Sequence, residues 1–183
     1  MRRFVLLLSL LVLLPFAFSA PALAAKPVTT LTFDELPSQP VDGLSFSGVT
    51  FGFQIGGVPS ADAYYGGSGP GSIAFVQDPS LEGNSGGVLT LTFDQPTTVL
   101  EFGIARSCSC TLTPGISVEL FKPGAAGRSR SLITATTSPV VSFSEALFSY
   151  SGPAIQTALV TFPSAGLATR FALDNLKFHQ GDG

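Results

Sequence analysis

The sequence predicts an all-β domain: a two-sheet antiparallel β-sandwich of jelly-roll type. Three observations predict it. Apolar and polar residues alternate with period two in many short stretches, which turns one face of each to a core and the other to water. Clusters of Gly, Pro, Ser and Asp, drawn partly from 20 glycines and 14 prolines, separate those stretches where turns are needed. No stretch carries a convincing amphipathic helix. The nearest, "FSEALFSY" from Phe143 to Tyr150, is short and continues a strand-like run. A closed barrel is the alternative architecture, since it too is assembled from many short strands.

The chain opens on a leader. Met1-Arg2-Arg3 is basic, Phe4 to Leu14 is apolar apart from Ser9, and Pro15 and Pro21 break any helix that follows. "APALAA" then offers small residues for cleavage after Ala24 or Ala25. This is the layout of a secretory signal peptide over residues 1–25. An uncleaved membrane anchor is disfavoured by the two prolines and the Ala-x-Ala end, and no later segment is apolar enough to span a bilayer. Residues 26–183 are expected to form one domain, secreted, periplasmic or held at the cell surface. Without Arg2 and Arg3 it carries seven basic residues against 12 acidic ones, a formal charge of −5. An acidic chain with so few cations has no electrostatic footprint for nucleic acid or for anionic membranes.

The strands follow in order. "TTLTFD" sets Leu31 and Phe33 against Thr30, Thr32 and Asp34. "GVTFGF" and "SIAFV" are two further strands. "LTLTFD" aligns Leu89, Leu91 and Phe93, and "LEFGI" aligns Leu100, Phe102 and Ile104. "ISVEL" aligns Ile116, Val118 and Leu120. "SLITATT" and "VVSFSEALF" come next, and "TALVTF" aligns Ala158, Val160 and Phe162. With "RFALDNLKF" this makes about nine or ten strands. Gln54–Ser72 and Gln77–Gly87 read as long loops, where binding residues tend to sit on a rigid scaffold. "LTFDELP" and "LTFDQP" resemble each other, but without a third copy they are two strand-to-turn signatures, not a repeat array.

The last strand changes face. Phe171 and Leu173 share one phase, Asp174-Asn175 intervenes, and Leu176 and Phe178 resume on the other. Such a slip means a β-bulge or a bend. The first strand does the same: after Leu31 and Phe33 come Asp34 and Glu35, then Leu36. Terminal strands of jelly rolls often lie side by side. If they do here, Asp34, Glu35, Asp174 and Asn175 converge into a hard-oxygen set suited to Ca²⁺, which would relieve repulsion between carboxylates. The simpler reading is that Asp34-Glu35 begins a turn and Asn175 satisfies backbone groups at a bulge.

Other candidates are thinner. Tyr64 and Tyr65 in "ADAYYGGSGPG" are two of only three tyrosines, and exposed tyrosines stack on sugar rings. The alternative is that they fold back as the loop's own anchor, and the absence of Trp weakens the sugar platform. Cys108 and Cys110 in "RSCSC" suggest a disulfide in an exported chain. A fully extended strand would place their Cα atoms about 6.5–7 Å apart, at the limit of a bridge, and a turn would shorten that. A hairpin staple is the first reading, a redox-active pair the second, soft-metal binding the third. His179, the only histidine, sits beside the "QGDG" terminus, where an exposed tail residue is the simple reading. A Ser-His-Asp or Cys-His site is improbable on that basis. Nothing places two carboxylates across a cleft as a glycosidase requires. The glycine-rich loops do not lead from a strand into a helix, so they are not phosphate cradles.

"LTFDELP", "GLSFSGVTFGF", "LTLTFDQPTTVLEFGIA", "ISVELFKPG" and "FALDNLKF", in that order, give the chain its resemblance. It resembles a large group of exported bacterial jelly-roll proteins, similar to galactose-binding-like domains and carbohydrate-binding modules. Many of that group carry a short Pro-Glu-Pro sorting tail; this chain ends in "HQGDG" and lacks it. The resemblance implies a sandwich with a structural calcium joining the terminal strands, carried here by Asp34 or Glu35 and by Asp174. The expected function is a non-catalytic exported binding or surface-associated module, with polysaccharide or a cell-surface glycan as partner. Adhesion without sugar specificity is the alternative, and a carboxylate-based polysaccharide-active hydrolase or lyase is the third.

Overall fold

A computed structural model describes residues 27–124, 130–163 and 165–179. The leader expected over residues 1–25 lies outside the described residues. Twelve strands follow one another: β1 (Val28–Leu31), β2 (Gln39–Pro40), β3 (Ser45–Phe46), β4 (Val49–Ile55), β5 (Val58–Pro59), β6 (Ala63–Gly67), β7 (Ser80–Asn84), β8 (Gly87–Arg106), β9 (Leu112–Phe121), β10 (Arg130–Val140), β11 (Phe143–Thr161) and β12 (Arg170–His179). Every pairing is antiparallel. Among the described residues there is no helix.

Two long strands build both layers. The first half of β8 pairs with β4 and with the second half of β11, and its second half pairs with β12 and with the first half of β11. The change of layer coincides with register shifts between Ser151, Ile155 and Thr157, around Gly152-Pro153. Proline cannot donate to a ladder, so the pairing breaks there and the strand bends. One layer runs β11-β8-β12-β7-β6-β2 with β1 added to β12, and the other runs β4-β8-β11-β9-β10.

Aromatic rings close the space between the layers. Phe53 meets Phe171 at 6.1 Å, Phe93 meets Phe178 at 5.1 Å and Phe51 meets Tyr65 at 6.3 Å between ring centroids. The inward residues named from the alternation are buried, Leu89, Leu91, Phe93, Leu100, Phe102 and Ile104 among them. The architecture is therefore the sandwich and not the closed barrel.

Three expectations need correction. The stretch 54–72 is not one long loop: it holds the end of β4, then β5 and β6. The stretch 77–87 contains β7. Their glycines and polar residues blur the alternation, yet Ala63, Tyr65, Leu81 and Gly83 all face inwards. "SIAFV", by contrast, is not a strand, because its backbone N–H groups at Ala74 and Phe75 donate to the Glu145 side chain instead of to a neighbouring strand, as described below.

Candidate functional site

The first and last strands do lie side by side. Val28 is opposite His179 and Leu31 is opposite Leu176. Beyond Leu31 the chain kinks at Phe33, whose φ of 62° is held by ring contacts with Tyr65 at 5.0 Å and Phe51 at 6.1 Å. On β12 the ladder with β8 slips by one residue between Asp174 and Lys177, and Asn175 takes a φ of 54°. Asn tolerates this left-handed region better than most residues. The slip is what lets Phe171, Leu173, Leu176 and Phe178 all stay buried.

Between the two kinks lies a polar cavity of about 230 Å³, lined by Thr32, Asp34, Gln77, Asp78, Asp174 and Asn175. Asp174 is 2% exposed. Its Oδ2 accepts from Gln77 N and from Asn175 Nδ2, each at 2.9 Å, and its Oδ1 accepts from Asn175 N at 2.6 Å. Burial raises its pKa; the N–H donors oppose this, while the carboxylates of Asp34 and Glu35 add to it. Asp34 Oδ1 accepts from Thr32 Oγ1 at 2.6 Å. Glu35 stands outside the lining. Its Oε1 accepts from Thr32 N at 2.8 Å and its Oε2 from the Tyr65 hydroxyl at 2.5 Å. Burial acts to raise the Glu35 pKa, but these bonds outweigh it and the net shift is downward. Of the four residues expected to converge, Asp34, Asp174 and Asn175 line the cavity and Glu35 braces its wall. Among the described residues, no group of three or more His, Cys, Asp or Glu side chains is arranged to hold a metal ion.

Gln77 and Asp78 reach the cavity from a segment whose role the alternation did not disclose. Residues 68–79 cross the outer face of β8 and β12 as a strap. Val76 is fully buried against Ala105 and Ala172, with Ile73 and Phe143 beside them. The strap's N–H groups are taken up by carboxylates. Glu145 accepts from Ala74 N at 3.3 Å and Phe75 N at 2.8 Å, Asp78 from Gly69 N and Gly71 N at 3.1 Å, and Asp174 from Gln77 N. A Cβ on Gly103 would lie 1.8 Å from Phe75 O, so the strap passes where β8 has no side chain. A glycine inside the alternating strand "LEFGI" was the available hint.

The tyrosine pair divides. Tyr64 is 41% exposed on the outer face of β6, opposite Pro40 and Glu82. Tyr65 is fully buried and bonded to Glu35, and burial drives its pKa upward, so its ring is packed in the core and not presented to solvent. Adjacent strand residues point to opposite faces, which is why only one of the pair stays outside. Cys108 and Cys110 are joined, with a Cα–Cα distance of 5.3 Å that a bend between β8 and β9 makes possible. His179 is not a tail residue: it closes β12, donating N–H to Thr97 Oγ1 at 2.9 Å, with Nδ1 2.9 Å from Thr98 Oγ1.

No family model matches the chain, and no curated protein matches it. Solved structures similar to it include a family 29 carbohydrate-binding module from Piromyces equi, CBM29_1 (8% identity, TM-score 0.46, covering 84% of this chain and 91% of that one). A second is a mutant of CBM29-2 complexed with cellulohexaose (10% identity, TM-score 0.43, 84% and 92%). A third is the K2 cleaved adhesin domain of Lys-gingipain (13% identity, TM-score 0.49, 84% and 98%).

Proposed function

We propose that the chain is an exported, non-catalytic binding module for uncharged polysaccharide, with a structural Ca²⁺ at the clasp between its terminal strands. The observation that carries the binding reading is Tyr64. Its ring stands exposed on a rigid sheet with Pro40 directly opposite, an aromatic and a pyrrolidine surface for the C–H face of a sugar ring. The partner Tyr65 contributes from beneath, by holding β6 through Glu35. In native gels containing hydroxyethylcellulose, galactomannan or xylan, migration should be retarded in at least one. Tyr64→Ala should weaken that retardation at unchanged melting temperature. Free migration of the wild-type protein in all three would overturn the reading.

The cavity chemistry supports the cation. Asp34 and Asp174 supply two carboxylates, and Asn175, Thr32 and Gln77 bring neutral oxygens, a hard-donor set matched to Ca²⁺. A buried Asp174 whose ionised form is penalised by burial and by its acidic neighbours is a group that a bound cation would relieve. Added calcium should raise the melting temperature by several degrees over chelator, and Asp174→Ala should erase the difference. Superimposable melting curves with and without calcium would sink it.

A second reading, adhesion to another protein, is favoured by one patch. Leu147 is opposite Gly103 in register and Phe75 crosses the same glycine, and the two are 46% and 39% exposed. Cell-surface retention unaffected by competing polysaccharide would favour it.

A further inference from the structure

We infer that the neutral glycan of this reading is gripped in a groove at the edge of the second layer, between the start of β8 and the end of β11. The inference rests on the polysaccharide reading and gives it a second site, since Tyr64 is not among the residues that line the groove. The groove is shallow and open to solvent, with a volume of about 360 Å³, and is lined by Ser85, Gly86, Val88, Thr161, Phe162 and Pro163. That volume falls within the range of clefts that take small ligands or a sugar unit of a chain.

Its chemistry selects the ligand. None of the described residues lining it is charged, so nothing in the walls favours an acidic or basic ligand. Pro163 and Val88 present apolar surface with the nearly buried Phe162 behind them, and Ser85 and Thr161 bring hydroxyls, that of Thr161 donating to Ser117 O at 3.2 Å and keeping its acceptor lone pairs. A sugar ring has the matching pair of surfaces, an apolar C–H face and a hydroxyl edge. Ser85 is the second observation. It is 2% exposed and its N–H donates to Thr169 O at 2.8 Å, yet its Oγ has no partner. A hydroxyl kept out of water and unpaired is unfavourable unless something bonds to it, and Ser85 is one of the residues that line the groove.

The walls are built before any ligand arrives. Phe162 is stacked on Phe171 at 3.9 Å, and the Arg106 guanidinium carbon lies 5.4 Å from its centroid. A wall held that way loses little freedom on binding. The groove also opens onto a surface long enough for a chain. Thr161 is opposite Val88, Leu159 opposite Thr90, and Thr157 opposite Thr92, which faces Thr50 on β4. Neighbouring strands set these hydroxyl and methyl groups about 4.7–4.9 Å apart, a hydroxyl-bearing track leading from the groove across the sheet.

The test uses the same polysaccharide gels. Ala165→Trp, on the rim, should strongly weaken retardation by filling the groove. Ser85→Ala should weaken it roughly fivefold, the loss of one hydrogen bond, at a melting temperature equal to or above wild type, because the hydroxyl has no protein partner to lose. That combination separates a ligand contact from a structural role, and Ser85→Ala preserves the test if Ala165→Trp fails to fold. Wild-type retardation that survives both substitutions would overturn the groove and leave the polysaccharide reading standing. No wild-type retardation in any gel would overturn both.

Discussion

Arg106 is the residue most at odds with its surroundings. It is fully buried, and its Nη1 donates to Gly115 O and to Pro163 O at 3.2 Å, while Nη2 donates to Ala168 O at 3.1 Å. Burial pushes its pKa down to about 10, which still leaves it charged at neutral pH. Three carbonyls and the Phe162 ring stand in for the counter-ion that a buried cation normally requires. The fork of a guanidinium reaches Gly115 on β9 and the carbonyls of Pro163 and Ala168 at once, which a point charge cannot do. Arg106→Met would strand those carbonyls in the core. It should cost about 3 kcal/mol in urea unfolding, and Arg106→Lys should recover less than half of that. Nothing in "FGIAR" announces this, because the neighbouring residues read as a strand end where an arginine is ordinarily solvated.

At the scale of elements, the strap and the β12 slip are one arrangement. Asp174 is displaced by the slip, and its carboxylate then reaches both the clasp cavity and Gln77 N of the strap. Glu145 holds the middle of the strap through two N–H groups. Glu145→Ala leaves those N–H groups without acceptors while β8, β9 and β4 keep their ladders. Amide exchange at Ala74, Phe75 and Val76 should therefore accelerate roughly tenfold to a hundredfold, with the exchange of β4 and β9 unchanged. Uniform acceleration would mean that the strap is part of the global unfolding unit. The slip itself was legible, since four apolar residues changing phase at Asp174-Asn175 is a property of neighbouring positions. The strap was not, since "SIAFV" has the composition of a strand and becomes something else only when Glu145 from β11 meets its backbone and Asp174 from β12 meets the Gln77 that follows it.

For the whole molecule, the carboxylates set opposing pH dependences. Burial raises Glu82, helped by the Asp78 carboxylate, and burial raises Asp174. A carboxyl with a raised folded-state pKa stabilises the fold when protonated, so stability rises as pH falls from neutrality through those raised values. Asp62 is lowered by hydrogen bonds from Asn84 and Arg170, and Glu35 is lowered once its hydrogen bonds outweigh burial. Their contributions disappear as pH falls further, through the depressed values. The sign is thus positive above the ordinary carboxylate range and negative below it, and the melting temperature should peak in mildly acidic solution. If calcium binds at the clasp as proposed, its addition at neutral pH should shrink the gain on mild acidification, because cation and proton would then relieve the same Asp174. A melting temperature that falls monotonically from pH 7 downward would contradict this balance.

The sequence by itself determined the all-β class, the inward faces of the principal strands and the phase break at Asp174-Asn175. Each of these is a periodic property of residues two or three positions apart, dictated by the pleat of an extended backbone. Only the tertiary structure decided that Tyr65 goes inside while Tyr64 stays out, that residues 68–79 form a strap, and that Ser85 and Thr161 flank one groove. Those outcomes depend on contacts such as Gln77 with Asp174, 97 residues apart, and Phe75 with Glu145, 70 apart. Whether a backbone N–H is satisfied by a strand or by a carboxylate is decided by what the fold brings opposite it, and no local pattern encodes that partner.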